Sequence, residues 1–248
     1  MQSRCKSAVV HSDFLILQFL SVFIRVNPWL ILRMRETGFD ITRARPLPRD
    51  FYDRDPRRVG RELLGKVLVR KHGRRLLAGR IVEVEAYMGK NDPAAHAAAG
   101  PTARNRVLFG PPGFAYVYFI YGNHYCLNVS CMSEGKAGCV LFRALEPVAG
   151  LEQMFRARDL PLPNGAAARV ADLRLLTSGP GRLTQALGIT RPRDNGKDLT
   201  TFSDLTILDD GFHVRRVATA PRVGITKAAG EKLRYLVEGN AFVSGSQK

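Results

Sequence analysis

In the stretch RIVEVEAY, residues 80 to 87, two carboxylates and a phenol fall at alternate positions. Successive side chains of a β-strand point to opposite faces, so Glu83, Glu85 and Tyr87 share one face with Ile81, and Val82, Val84 and Ala86 share the other. Alternate residues lie roughly 6.5–7 Å apart along a strand. A carboxylate beside an aromatic ring is suited to general-base work next to a flat substrate. The plainer reading is the solvated polar face of an edge strand. The strand leads into GKNDPAAHAAAGPTARNR, a long loop that contains one histidine, His96.

A second stretch, YVYFIYGNHYCLNVS (116 to 130), reads as a strand, a tip and a returning strand. Tyr116, Tyr118 and Ile120 point one way; Val117, Phe119 and Tyr121 point the other. Hairpin tips are normally small and polar, yet this one carries Tyr121, His124 and Tyr125 around Gly122. Exposed rings are wasteful in an ordinary loop. They suit a wedge that enters a stack of bases, because each base–aromatic stack is worth about 1–3 kcal/mol. Aromatic packing within a sheet is the alternative.

The charge agrees with a phosphate-bearing partner. The chain of 248 residues has 38 Lys and Arg against 22 Asp and Glu, a formal net charge of +16. Cationic side chains that meet phosphates release counterions and steer encounter. The excess is dispersed through loops rather than gathered in a tail. Arg104 and Arg106 in PTARNR and Arg182 near a helix start are the candidate phosphate contacts. The cysteines, Cys5, Cys126, Cys131 and Cys139, form no C-x-x-C pair, and the five histidines show no H-x-x-x-H pattern. Reduced, buried thiols are expected, and neither a metal site nor a cofactor.

The elements that must position these residues follow from punctuation and periodicity. Asp55 can cap a helix with Pro56 at its first position and Gly65 as its stop. Lys66–Arg70 and Leu76–Tyr87 read as a hairpin around Gly73. Strands are expected at 116–121, 126–132, 138–144, 206–210, 213–219 and 234–239. Helices are expected at 150–158 and 166–176, and in SGPGRLTQALGI with Ser178 as cap. Residues 46–55 read as a linker and 190–200 as a polar loop. Strands dominate the centre with helices on either side in sequence. That pattern predicts one α+β domain around a largely antiparallel sheet, not a βαβ array.

Residues 1–45 read as an amino-terminal extension to a domain spanning 46–248. FLILQFLSVFI, 14 to 24, is apolar but too short to span a bilayer, and no small-residue cleavage site follows it. A targeting element, an added amphipathic helix and sequence translated upstream of a start at Met34 all fit, and the last is favoured. No membrane association is expected.

Four blocks carry a resemblance: RIVEVEAYMG with NDPAAH, PTARNRVLFGPPGFAYVYFIYGNHYCLNVS, GCVLFRALEP and SGPGRLTQAL. Together they resemble the alkyladenine (3-methyladenine) DNA glycosylase family, in order, from about Phe51 to Val243. The resemblance implies a single domain on a curved antiparallel sheet flanked by helices. It implies a metal-free and cofactor-free enzyme that flips alkylated or deaminated purines from double-stranded DNA and hydrolyses the N-glycosidic bond. It further implies roles by position. Glu85 is the general base, and Arg143 and the Val223 carbonyl help hold its water. Tyr87 and Tyr118 sandwich the base, His96 bonds its edge, and Asn128 filters exocyclic amino groups. Tyr121 intercalates. His124 beside the wedge departs from the family pattern, and the extension has no counterpart there.

The resemblance also implies a cytoplasmic monomer, nucleoid-associated in a bacterium. No lysine lies in EVEAY or YFIYG, so a Schiff-base lyase step is not expected. Two rivals share some of these features: a non-catalytic binder of distorted DNA that uses the Tyr121 wedge, and a metal-dependent nuclease with Glu83 and Glu85 as ligands.

Overall fold

A computed structural model describes residues 39, 41–120, 122–163 and 168–245. The apolar run at 14–24, Cys5, Met34 and the tip residue Tyr121 lie outside the described residues.

Nine strands build one curled sheet in which every pairing is antiparallel. They are β1 (Arg45–Pro46), β2 (Val67–His72), β3 (Arg75–Tyr87), β4 (Ala115–Ile120), β5 (His124–Cys131), β6 (Gly138–Ala149), β7 (Leu205–Asp209), β8 (Val217–Ala220) and β9 (Arg234–Val237). The order is β1-β7-β2-β3-β6-β5-β4, with β9 joining β3 and β8 joining β9. Among the described residues six helices accompany it: α1 (Arg49–Tyr52), α2 (Pro56–Leu63), α3 (Leu151–Ala157), α4 (Val170–Thr177), α5 (Pro180–Ala186) and α6 (Arg191–Asp194).

Local chemistry accounts for most boundaries. The Asp55 carboxylate accepts from the Arg57 N–H at 2.8 Å, which caps α2 behind Pro56. The β2–β3 hairpin is tighter than the sequence suggests: His72 pairs with Arg75 across Gly73, whose φ is +60°. Leu68, Ile81, Val84, Leu127, Phe142 and Leu145 from the sheet form the largest buried cluster, with Leu63, Met154, Leu176 and Leu183 from the helices. Each such side chain contributes about 1.5–3 kcal/mol when taken from water.

Some expectations are corrected. The linker at 46–55 contains the end of β1 and the whole of α1, and the packed region reaches back to Phe39, Ile41 and Ala44, which are buried against β2 and β3. The polar loop at 190–200 contains α6, whose Asp194 accepts from the Thr190 N–H and pairs with buried Arg70 at 2.8 Å. Ser178 does not cap α5. Gly179 stands at the cap, and the Ser178 hydroxyl donates to the Phe242 carbonyl at 2.7 Å. The strand expected at 213–219 is only Val217–Ala220.

The centre of the sheet matters most for the site. β3 pairs with β6 along one edge, and with β2 and then β9 along the other. Its ladder with β6 is irregular between Ile81 and Val84: Ile81 faces Leu145, Glu83 faces Ala144, and Val84 faces Phe142. Arg143 is thus the residue of β6 left without a partner at the bulge. Bulges re-aim side chains, and this one directs Arg143 between the two carboxylates of β3.

Candidate active site

Glu83 and Glu85 are not on an edge. Both have no solvent exposure, in the strand paired on both sides. A buried carboxylate needs partners, and each has them. Glu85 Oε1 accepts from the Val223 N–H at 2.8 Å and lies 3.2 Å from Arg143 Nη1. Its Oε2 accepts from the Tyr87 hydroxyl at 2.9 Å. Glu83 accepts from Arg143 Nε at 2.9 Å and faces Arg234 Nε at 3.3 Å. Arg143 therefore joins the two carboxylates.

Burial pushes the Glu85 carboxyl above its ordinary range, outweighing the opposing pull of Arg143, the Val223 N–H and the Tyr87 hydroxyl. Burial works against the Arg143 charge, but Glu85 and Glu83 more than offset it. Tyr87 is held well above the usual phenol range, first by burial and then by Glu85, so it stays a hydroxyl donor.

Above this floor is a cavity of about 460 Å3. Tyr87, Tyr116, Tyr118, His96, Asn128 and Arg143 line it, together with Gly179 to Arg182 and Val223 to Ile225. The His96 ring packs edge-on against Tyr118 with centroids 4.5 Å apart, and its Nδ1 lies 3.0 Å from the Tyr116 hydroxyl. Packing against these rings, and then Arg104, push His96 below its ordinary value although the residue as a whole is exposed. This favours the neutral imidazole. The Asn128 amide donates to the Tyr116 carbonyl at 3.1 Å, which fixes its orientation in the wall.

The sequence-derived set thus converges. Glu85 sits beneath the cavity, bound to three residues that line it, and Arg143, Val223, Tyr87, His96, Tyr118 and Asn128 form its wall. Val223 itself donates its N–H to Glu85. Arg104 stands at the rim with its Cζ 5.5 Å from the Tyr118 centroid, and Arg182 lines the mouth. Arg106, exposed in a 3-10 turn, is not among the lining residues. Sequence reasoning missed Tyr116 and the support behind the wall. Arg222 donates to the Ala86 carbonyl at 3.1 Å and lies over the Tyr87 ring at 4.7 Å, and Asp92 pairs with it. Only its adjacency to Val223 hinted at Arg222.

Cys126, Cys131 and Cys139 are free and buried. Among the described residues no cluster of three or more His, Cys, Asp and Glu could hold a metal, and no helix is long and apolar enough to cross a membrane. Arg143 and Arg234 already supply the positive charge around Glu83 and Glu85 that a divalent ion would need to bring.

A buried carboxylate clamped to an arginine under an aromatic chamber is the equipment of a hydrolase for a flat ring substrate. Comparison with known proteins gives the particular class. Residues 50–241 match the family model described as methylpurine-DNA glycosylase (MPG), and the chain belongs to this family of DNA repair hydrolases acting on N-glycosyl bonds. A relative from Koribacter versatilis is 63% identical over 203 residues, 82% of this chain and 94% of its own length. One from Burkholderia cenocepacia is 47% identical over 202 residues, 81% and 91% of the two chains. One from Methanocella arvoryzae is 45% identical over 188 residues, 76% and 88%. All three are named, provisionally, as 3-methyladenine DNA glycosylases.

Proposed function

We propose that this protein is a monofunctional glycosylase that takes an alkylated or deaminated purine out of duplex DNA into the cavity and releases it by hydrolysis. The observation that carries the proposal is the Glu85 carboxylate, buried beneath the aromatic chamber and held by Val223, Arg143 and Tyr87. The purine stacks on the Tyr87 and Tyr118 faces, which attract the cationic ring of an alkylated base. His96 bonds the base edge, and neutral lesions such as hypoxanthine depend on it more. Glu85 takes a proton from a water as that water attacks the sugar C1′. The C–N bond breaks, and its electron pair leaves with the purine. The carboxylate and Arg143 stabilise the charges that develop on sugar and water. The raised Glu85 carboxyl makes it a stronger base at working pH.

No lysine is among the lining residues, which supports hydrolysis to an abasic site over a lyase reaction. Tyr121, between Ile120 and Gly122 at the hairpin tip, fills the gap left in the stack. Arg104, Arg106 and Arg182 take phosphates. One chain supplies the whole cavity, in keeping with a monomer, and the working place is the cytoplasm, with the DNA.

The test is base release from a duplex carrying one hypoxanthine or etheno-adenine, with chelator present, by the native protein and Glu85→Gln. Heat and alkali then reveal abasic sites. Release that the variant loses while still binding damaged DNA is expected. Binding without release by the native protein would instead support the non-catalytic reader of distorted DNA.

A further inference from the structure

The carboxyl-terminal segment reaches the charge cluster beneath the cavity. Asn240 donates to Glu146 at 3.0 Å, and Phe242 is buried with Val82 and Ala144. Ser178 donates to the Phe242 carbonyl at 2.7 Å, and Arg174 donates to the carbonyls of Ala241 and, at 3.0 Å, Gly245. These anchors set Ser244 against Glu83. The Ser244 N–H donates to Oε2 at 2.5 Å, its hydroxyl donates to Oε1 at 2.9 Å, and that hydroxyl accepts from Arg143 Nη2 at 3.3 Å. The family match stops at residue 241, short of Ser244.

We infer that Ser244 is a positioning residue that, through Glu83, aims Arg143 at Glu85. A guanidinium is a rigid planar fork, and its preferred partner is a single carboxylate held by two parallel bonds. Glu83 is close enough to take Arg143 in that way. Ser244 prevents it by occupying both Glu83 oxygens and by receiving Nη2 itself. Arg143 is left with Nε on Glu83, Nη2 on Ser244 and Nη1 on Glu85, so each side of the fork has its own acceptor. Without the serine hydroxyl the fork turns toward Glu83, and Glu85 loses the cation beside it. The inference rests on Glu85 acting as the base.

The groups facing Glu85 are Glu83 and Tyr87 of β3, Arg143 of β6, Arg234 of β9, Cys126 of β5 and the Val223 N–H. Of these, Ser244→Ala touches Glu83, which loses the hydroxyl bond, and Arg143, which loses its Nη2 acceptor. Single-turnover release from a hypoxanthine duplex should slow about tenfold, a fraction of the hundredfold that misplacement at a reacting centre can cost. The acid limb of the rate profile should move to higher pH, and the dissociation constant for the same duplex should stay within about twofold. Ser244→Thr, which keeps the hydroxyl, should restore both rate and profile, and thermal unfolding of each variant checks the fold. A rate and acid limb unchanged in Ser244→Ala, or a loss that Ser244→Thr does not repair, overturns the inference. Glu85→Gln is run beside them: if it releases base normally, it is the assignment of the base that fails, whatever Ser244 does.

Discussion

Asp92 and Arg222, separated by 130 residues, form a fully buried ion pair with Nη2 and Oδ1 3.0 Å apart. Asp92 also accepts from the N–H groups of Met88 at 3.1 Å and Ala94 at 3.0 Å. Gly89 makes this fold of the loop possible, since its φ is +76° and a Cβ there would lie 2.5 Å from the Ala137 carbonyl oxygen. One pair therefore ties down the loop bearing His96, the segment bearing Val223 and the back of the Tyr87 ring.

Removing one partner of a buried pair costs about 3–5 kcal/mol, because the other charge is stranded. Asp92→Ala should lower the unfolding midpoint by that amount of stability and slow base release as well. Pairing it with Arg222→Met should recover much of the stability by replacing the ion pair with apolar contact. Release should stay slow, because the loop and the Val223 segment are no longer tied. Denaturant unfolding and single-turnover rates on the same preparations check both halves.

Release should fall as pH drops, with a midpoint above the ordinary carboxylate range. The direction follows from the proposed role of Glu85: the working form would be the carboxylate, and burial raises the pH at which it takes up a proton. Arg143→Gln removes the largest influence holding that value down, so its acid limb should move higher still. His96 is pushed the other way, so His96→Gln should not carry the limb upward as Arg143→Gln does. Single-turnover rates across pH on one lesion distinguish the three proteins.

Arg104→Gln with Arg106→Gln should weaken binding to damaged and undamaged duplexes alike. Loss of two phosphate contacts lowers the steepness of log affinity against log salt by about 1.8. Fluorescence anisotropy at several salt concentrations measures the slope, and an unchanged slope assigns the phosphates to other residues.

Asn128 presents an amide whose orientation is fixed by the Tyr116 carbonyl. Asn128→Ala opens space in the wall, so release of purines bearing a 2-amino group should rise relative to hypoxanthine. Competition between guanine-type and hypoxanthine duplexes reads the ratio directly.

Much of this site was legible because strand alternation and Gly-bounded tips are local. RIVEVEAY put Glu85 and Tyr87 on one face, and the structure joins them by a hydrogen bond. The hairpin was placed to within two residues at either strand. What escaped depends on register or distance. Arg143 aims between two carboxylates because of a bulge in the β3–β6 ladder, and no single strand encodes its partner's slip. E-x-E looked like a solvated edge because burial on both sides is decided by β6 and β9, which arrive from far along the chain. Asp92 passed unnoticed within its long loop, and Ser178 read as a cap, since Ser ordinarily serves such local backbone needs. Ser178 is engaged instead by a partner 64 residues away, and Asp92 adds to its local N–H bonds a partner 130 residues away.

The placement of β3 and β4 within one sheet divides the molecule's motions. β3 is bonded along both edges, to β6 on one side and to β2 and β9 on the other, whereas β4 pairs only with β5 and forms the rim. Backbone amides of a central strand open only with the whole domain, and those of a rim strand open by local fraying. Amide exchange should therefore be slowest around Glu83 to Ala86 and fastest toward Ile120. In the proposed reaction Tyr118 thus rides on the part of the sheet that yields first, while Glu85, the proposed base, is held in the part that yields last.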